Sequence, residues 1–419
     1  MPWRSAALRM DSPVSTGNCR PLGRSVTLKL IVMCLVIFVT IAIMIPTRLL
    51  RRARVLIVGC GDVGMRTIPL LTPRFKVLAL VRRDDARASV RALGAVPIKG
   101  DLDAYPSLRR LAGLAHGAHG LFHFAPPPSQ GTSDARTQAL IAALGTERRG
   151  AAIVPERGGG MVAERKSQFA LQSTLQQNSR RKTRAVFKHS IAEPVVGGGG
   201  AARRPLRRWY AERRPALRVV YTSTSGVYGD CGGALIDETR PVRPANARAI
   251  RRVSAERQLR QAGQRGEVKA SILRIPGIYA ASRLPDNRLR RGTPALLAED
   301  DVFTSHIHAD DLAAIAVRTL WRGRAQRLYH ATDDSRLKMG AYFDLVASAL
   351  CLPKPPRISR AAAEQEIEPM LLSFMRESRR LENRRLVEEL RYVLQYPTVG
   401  AFFDALKATP ASVPAGMSA

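Results

Sequence analysis

A glycine-rich turn between an apolar run and a helix-forming segment constrains this chain most strongly. Residues 59–64 read Gly-Cys-Gly-Asp-Val-Gly; the apolar run Val55 to Val58 precedes them and a helix-favouring segment, Met65 to Leu71, follows. This strand–turn–helix context is what makes a GxGxxG pattern informative. The first glycine permits the turn, the second admits a pyrophosphate, the third allows close packing, and the helix start offers free N–H groups. We therefore predict a dinucleotide-binding turn.

Strand and helix patterns alternate after this turn. Such alternation predicts an α/β fold, a doubly wound parallel sheet of the Rossmann type. The pattern of the last part of the chain, Pro353 to Phe403, predicts a small, mostly helical C-terminal lobe. The predicted strands are Val55–Val58, Lys76–Val81, Ala95–Lys99, Leu121–Phe124, Leu217–Ser223, Ala270–Arg274 and Arg327–Ala331. The predicted helices are Met65–Leu71, Asp84–Leu93, Asp134–Leu144, Ala247–Ala262, Asp310–Trp321 and Met339–Leu350.

The formal net charge of +33 lies mainly in two stretches outside the predicted core. Residues 1–54 carry nine basic residues against one acidic, and residues 146–218 carry 17 against five. Few aromatic residues accompany these arginines, so the stacking platforms of single-strand binders are missing and no specific nucleic acid is expected. The five cysteines have no metal-ligand spacing, which predicts no metal site.

Composition divides the chain into four parts. We predict a basic leader over 1–53, a nucleotide-binding domain over 54–335, a substrate lobe over 336–405 and a tail over 406–419. The domain is interrupted over 146–215 by an Arg/Gly-rich insert, which we expect to be disordered because a structureless segment of this length is unusual inside a compact domain.

The leader contains an apolar segment, residues 28–46, close to the length of a membrane helix. Two interpretations remain open: a tether that holds the folded domain at a membrane, or an N-terminal extension foreign to the domain. A domain that uses a nicotinamide cofactor is expected in the cytoplasm. The export of the leader arginines that a tether requires goes against the positive-inside tendency.

The end of the second predicted strand bears on cofactor choice. A fold that prefers NAD usually places an acidic residue there for the ribose hydroxyl, whereas this chain has Arg82 and Arg83. Guanidinium groups suit a 2′-phosphate, so the residues favour NADP. Asp84 and Asp85 follow directly and keep NAD as the alternative.

Seven motifs in a fixed order give the chain a family resemblance. The motifs are the turn at 59–64, Gly100-Asp101-Leu102, Phe122-His123-Phe124-Ala125, Thr222 to Gly229, Asp237-Glu238 with Pro241 and Pro244, Leu273-Arg274 with Pro276-Gly277-Ile278-Tyr279, and Ile307 to Leu312. With these motifs the chain resembles the extended short-chain dehydrogenase/reductases, the NAD-dependent epimerase/dehydratase group, in an atypical form.

The resemblance implies roles for individual residues and a small-molecule substrate, with a homodimer as a candidate assembly. Asp101 would meet the adenine, Ala125 and Pro126 would line the cofactor ribose, and Pro276 would lie beside the nicotinamide. The implied cofactor-binding residues are Gly59, Gly61, Asp62, Val63, Gly64, Arg82, Arg83, Asp101, Leu102, Ala125, Pro126 and Pro276. The implied catalytic residues are Thr224, which would bond the reacting oxygen of the substrate, Tyr228 and Arg252.

The family's catalytic Tyr-x-x-x-Lys pair is missing. Alignment on Glu256 places Arg248 at the tyrosine position and Arg252 at the lysine position. Arginine stays protonated and cannot replace a tyrosinate base. Tyr228 is therefore the candidate stand-in proton donor, and His308 is a second. Two functions remain open, an NAD(P)-dependent oxidoreductase or epimerase-like enzyme, and a non-catalytic NADP-binding sensor.

Overall fold

Seven parallel strands form the central sheet of the protein, for which a computed structural model describes residues 52–150 and 216–408. The sheet order is β3-β2-β1-β4-β5-β6-β7, so the chain reverses direction across the sheet between β1 and β4. The strands are β1 (Arg54–Val58), β2 (Lys76–Val81), β3 (Val96–Lys99), β4 (Ala118–His123), β5 (Leu217–Thr224), β6 (Val268–Ile275) and β7 (Leu328–His330). This confirms the predicted doubly wound α/β fold.

Helices cover both faces of the sheet. They are α1 (Asp62–Leu71), α2 (Ala86–Ala92), α3 (Arg109–Ala115), α4 (Ala135–Gly150), α5 (Ala247–Gln264) and α6 (Ala309–Arg322). Alternate strand residues feed the two faces: Val55 and Ile57 pack with α1, α2 and α6, whereas Leu56 and Val58 pack with α3, α4 and α5. Each strand is therefore apolar on both sides, as parallel sheets require.

Helix α3 and the 3-10 turn before it, Tyr105–Leu108, were not predicted. They form the crossover between β3 and β4, which a parallel connection needs. These elements are only four and seven residues long, too short for their apolar spacing to stand out in the sequence. Helix α4 also continues to Gly150, past the predicted end at Leu144, into the first residues assigned to the insert.

The C-terminal lobe has its own core and draws on more of the chain than predicted. Its buried residues come from 279–302 as well as from 339–403, so part of it precedes the predicted start at 336. Its helices are Asp286–Arg290, Met339–Ala349, Arg360–Glu366, Pro369–Leu372 and Val399–Ala408, whereas helix Arg384–Glu388 packs through Leu386 on the core of the central sheet. Short strand pairs accompany them: Leu235–Ile236 with Arg380–Leu381, Gly277–Tyr279 with His306–His308, Ala295–Leu296 with Arg357–Ile358, and Phe303–Thr304 with Leu337–Lys338.

Three predictions concern residues outside the described ranges. The leader with its apolar segment 28–46, the insert over 151–215 and the tail from 409 onward all lie there. Within 52–150 and 216–408, no helix combines the length and apolar composition that crossing a membrane would take.

Candidate active site

The glycine turn lies between β1 and α1, at the edge of the sheet where the strand order reverses. Gly59 has a φ of 98°, and a Cβ there would lie 2.4 Å from the Ala125 nitrogen. A Cβ at Gly64 would lie 2.4 Å from the Gly59 carbonyl oxygen. Both positions therefore need glycine, the first for its backbone and the second for close packing.

Gly61 differs from its two neighbours in the turn. A Cβ built there would meet nothing within 4 Å, so this position faces open space. Gly61 is also the N-cap of α1, and no side chain caps the helix start. The first N–H groups of α1 and the space above Gly61 together form a cradle that suits a phosphate group.

The segment after β4 closes the other side of this cradle. The backbone nitrogens of Phe124 and Ala125 both donate to the Val58 carbonyl, at 2.8 and 3.1 Å. Ala125 is consequently buried against the glycine turn, whereas Pro126 is exposed at the rim. Both predicted ribose-lining residues thus lie beside the turn.

A cleft of about 220 Å³ opens next to the turn at the carboxyl ends of β5 and β6. It brings together four predicted site residues that lie up to 213 positions apart in the chain: Val63, Thr224, Arg252 and Pro276. The remaining lining residues are Phe124, Thr222, Ser223, Ile275, Ile278 and Leu312. This is the crevice at the topological switch point where α/β sheets bind ligands.

Thr224 and Arg252 supply polar groups to this cleft. Thr224 ends β5, is partly exposed, and its Oγ1 accepts a hydrogen bond from the Gly226 nitrogen at 3.3 Å. Arg252 projects from α5 and donates to the Thr222 carbonyl at 2.6 Å and to the Tyr221 hydroxyl at 3.1 Å. These two bonds fix the guanidinium group against the end of β5.

A buried ion pair that the sequence analysis did not identify positions α5 against β5 and β6. Arg274 donates to both oxygens of Glu256, at 3.1 and 2.8 Å, and each side chain is 5% exposed. The Ser223 hydroxyl donates to the same carboxylate at 2.6 Å. Arg274 inside an otherwise apolar strand segment was the available signal, because a buried charge must be paired.

The structure does not place Tyr228 in the cleft. Its side chain is 1% exposed, and its hydroxyl lies 2.5 Å from His330 Nε2. His330 Nδ1 bonds the Glu382 carbonyl and must donate, so Nε2 accepts from the tyrosine. Burial raises the pKa of Tyr228 to about 12. The prediction that Tyr228 donates the reaction proton is therefore corrected to a structural role.

His308 is not a cleft residue either. It is 3% exposed, and its Nδ1 accepts from the Asp310 nitrogen at 3.3 Å, which caps α6. The ring packs against Tyr279, Tyr396 and Phe402. Burial lowers the pKa of His308, so the ring is held neutral as a cap.

The predicted adenosine end lies along the ends of β2 and β3. Arg82 is exposed and forms no ion pair with another described residue, whereas Arg83 pairs with Asp85 at 3.3 Å. Asp84 accepts from Arg87 at 3.1 Å and from Lys99 at 3.3 Å, and these hydrogen bonds lower its pKa. The two acidic residues that kept NAD as the alternative are therefore already bonded to basic side chains.

Three more predicted residues lie in or beside this region. Asp101 accepts from the Asp103 nitrogen at 3.0 Å, which shapes the loop after β3, and Leu102 is buried beneath it. Asp62 forms ion pairs with Arg66 at 2.8 Å and Arg283 at 3.4 Å. Its carboxylate therefore joins α1 to neighbouring side chains, and only its backbone nitrogen belongs to the phosphate cradle.

Comparison of the sequence with known proteins identifies one family. Residues 204–330 match the model of the NAD dependent epimerase/dehydratase family. A search of curated proteins finds no significant match.

Solved structures share the fold at low sequence identity. A conserved protein of unknown function from Silicibacter pomeroyi is 23% identical, with a TM-score of 0.58 over 85% of this chain and 98% of that one. A dTDP-glucose 4,6-dehydratase from Bacillus anthracis, solved in complex with NAD, is 11% identical, with a TM-score of 0.56 over 85% and 96%. A nucleoside-diphosphate-sugar epimerase from Pseudomonas aeruginosa is 14% identical, with a TM-score of 0.56 over 84% and 95%. The family match and the shared Rossmann fold confirm the resemblance of this chain to the NAD-dependent epimerase/dehydratase family.

Proposed function

We propose that the protein is an NADP-dependent oxidoreductase or epimerase/dehydratase-like enzyme that acts at a carbinol or carbonyl carbon of a small molecule. One observation carries this proposal: the phosphate cradle at Gly61 continues into a cleft lined by Val63, Thr224, Arg252 and Pro276. The turn fits a dinucleotide because the space above Gly61 is open to a phosphate group. At Gly59 and Gly64, by contrast, the turn packs closely against backbone atoms. A bound nicotinamide would supply or accept the hydride.

The protein's own residues would then orient the substrate. The Thr224 hydroxyl would donate a hydrogen bond to the reacting oxygen, and Arg252, held by the Thr222 carbonyl, would favour negative charge that develops beside it. The described residues that line the cleft include no Asp, Glu, His, Lys, Cys or Tyr side chain. We therefore propose that a water molecule bonded to Thr224 exchanges the proton with the reacting oxygen of the substrate.

The absence of an ionisable donor among these lining residues also favours a second candidate, an NADP-binding protein without turnover. Binding and turnover assays, together with substitution of Thr224, distinguish the two functions. Calorimetry with NADPH and NADH establishes cofactor binding, and a panel of carbonyl substrates with NADPH oxidation establishes turnover.

Thr224→Ala is expected to reduce kcat about 100-fold in an enzyme, because it removes the hydroxyl from the reacting oxygen. Thr224→Ser keeps the hydroxyl and should retain most of the activity. NADPH affinity should be equal in both variants. Wild-type activity in Thr224→Ala would contradict the proposed role, and NADPH binding without turnover of any carbonyl would favour the sensor.

Arg82→Gln is expected to weaken NADPH binding about 10- to 100-fold and to leave NADH binding unchanged, because a charged hydrogen-bond donor to the 2′-phosphate is lost. Arg83→Gln is the matched control, since Arg83 already pairs with Asp85. Calorimetry of the three proteins with both coenzymes measures the effect. If Arg82→Gln loses equal affinity for NADPH and NADH, the proposed contact of Arg82 with the 2′-phosphate is ruled out.

A further inference from the structure

Two arginines from different parts of the fold, Arg252 and Arg379, lie beside Thr224, and a third, Arg248, lies one helical turn from Arg252. Arg248 and Arg252 lie one turn apart on α5, so they share a face of that helix. Arg379 comes from the lobe and donates to the Gly229 carbonyl at 3.0 Å. The segment 225–229, which follows Thr224 directly, therefore lies between α5 and the lobe.

Arg379 is directed at the same point as Thr224. A Cβ built on Gly226 would lie 3.6 Å from Thr224 Oγ1 and 4.0 Å from Arg379 Nη2. The other terminal nitrogen of Arg379, Nη1, is bonded to Gly229 and, at 2.6 Å, to Glu377. This leaves Nη2 on the Gly226 side, near the hydroxyl that we assign to the reacting oxygen.

Arg248 contributes a charge without an ionic partner. Its guanidinium carbon lies 4.5 Å from the centroid of the Phe374 ring, and it forms no hydrogen bond or ion pair with a described residue. Burial and the charges of Arg252, Arg251 and Arg379 lower its pKa, whereas Glu377 favours its charged form. Arginine nonetheless stays protonated at any working pH, and Arg248 is exposed to solvent, so its positive charge is available to an anionic ligand.

The positive charge exceeds the negative charge at this place. Arg248, Arg252 and Arg379 surround the region, and Glu377 is the neighbouring carboxylate. Glu377 already accepts from Arg379 at 2.6 Å and from Asn246 at 3.2 Å. Arg252 bonds only neutral oxygens, the Thr222 carbonyl and the Tyr221 hydroxyl, among the residues described. Two guanidinium charges are therefore left without a counter-charge.

We propose that Arg248 and Arg379 bind an oxyanion of the substrate, a carboxylate or a phosphate ester, next to the carbon whose oxygen contacts Thr224. This inference rests on the proposed function, and it narrows the substrate to negatively charged carbonyl or hydroxy compounds. Planar guanidinium groups bind both kinds of oxyanion through paired N–H donors. The face of the Phe374 ring, against which Arg248 stacks, would hold the guanidinium group in place.

Calorimetry tests anion binding separately from cofactor turnover. The full-length protein is titrated with oxalate, with inorganic phosphate and with neutral ethylene glycol, both without cofactor and after saturation with NADPH. We expect one of the two anions to bind and ethylene glycol not to bind. Arg248→Gln and Arg379→Gln should each weaken the anion about 10- to 100-fold, because each removes charge-assisted hydrogen bonds.

Arg257→Gln is the matched control, because Arg257 is an exposed arginine of the same helix that lies nine residues from Arg248, on the opposite helix face. It should change anion affinity less than twofold. Circular dichroism checks that each variant folds. If Arg248→Gln fails to fold, the anion affinity of Arg379→Gln decides the outcome. The proposal is overturned if neither anion binds, or if Arg257→Gln weakens binding as much as the other two.

Substrate pairs supply the kinetic test. Pyruvate and dihydroxyacetone phosphate carry the two kinds of oxyanion, and hydroxyacetone is their neutral counterpart. The anionic substrate should lose about 10- to 100-fold in kcat/KM in Arg248→Gln, and the neutral one should be unaffected. An Arg248-dependent anion site in a protein that binds no nicotinamide coenzyme would refute the proposed function while preserving the anion site. NADPH turnover with equal kcat/KM for charged and neutral substrates would refute the anion site and support the proposed function.

Discussion

Gly61→Ala is expected to abolish NADPH binding, with a loss of at least about 100-fold, while the protein keeps its fold. The added methyl group would meet no protein atom within 4 Å, and the backbone at Gly61, with φ −78° and ψ −166°, is accessible to alanine. The methyl group would instead occupy the space where a pyrophosphate approaches the start of α1. Two or more charge-assisted hydrogen bonds are lost together, each worth about 1.5 to 3 kcal/mol.

Two other glycine substitutions separate binding from folding. Gly59→Ala should destabilise the protein itself, because the position has a φ of 98° and a Cβ would collide with Ala125. Gly400→Ala lies in a lobe helix, where a Cβ would meet the Thr398 hydroxyl at an ordinary 3.6 Å, and it should change neither property. Thermal unfolding and NADPH calorimetry of the three variants decide the matter. Full NADPH affinity in a folded Gly61→Ala protein would remove the basis for the proposed function.

Asp333→Asn is expected to stabilise the protein at pH 8 by up to about 4 kcal/mol and to have little effect near pH 4. Asp333 is 3% exposed, and burial raises its pKa from 3.8 to about 7. Its Oδ1 accepts from the Ser335 nitrogen at 2.9 Å, but Oδ2 has no hydrogen-bond partner of good geometry. The Tyr279 hydroxyl beside it also lacks one. Asparagine imitates the protonated acid and removes the cost of ionising it.

The sign of the pH dependence follows from the raised pKa. Between about pH 4 and pH 7 the folded protein holds a proton that the unfolded chain has released, so this group's contribution to stability falls as pH rises and levels off above pH 7. A displacement of about three pKa units corresponds to about 4 kcal/mol. Urea unfolding between pH 4.5 and 8.5 measures it, with Asp404→Asn at an exposed position as the control. Parallel pH profiles for wild type and Asp333→Asn would show that Asp333 is ionised in the folded protein at no cost.

Local patterns account for the elements that sequence reasoning predicted well. The strand Lys76–Val81 was predicted at its exact bounds, since an apolar β-branched run ends there in charged residues. Helix α3 was missed because it is only seven residues long, and so short a helix depends on packing in the crossover for its stability. The lobe boundary was misplaced for a related reason: its core joins 279–302 to 339–403, and only packing shows which distant segments share a core.

The candidate site was likewise predicted only in part from the sequence. The four motif residues Val63, Thr224, Arg252 and Pro276 were identified in the sequence, and the structure brings them to one cleft. Tyr228 and His308 were equally plausible by residue type, yet their side chains are buried and bonded elsewhere. Residue type shows what chemistry a side chain can perform. Its direction depends on neighbours from other elements.

The sequence alone determined the glycine turn and the alternation of strands with helices, because each of these patterns depends on residues close together in the chain. The tertiary structure alone decided which ionisable groups are available to a ligand. Arg248 and Arg379 lie 131 positions apart, and their charges interact only because α5 and the lobe pack around residues 225–229. Burial and pairing, which fix charge and reactivity, arise from such long-range contacts and leave no local pattern in the chain.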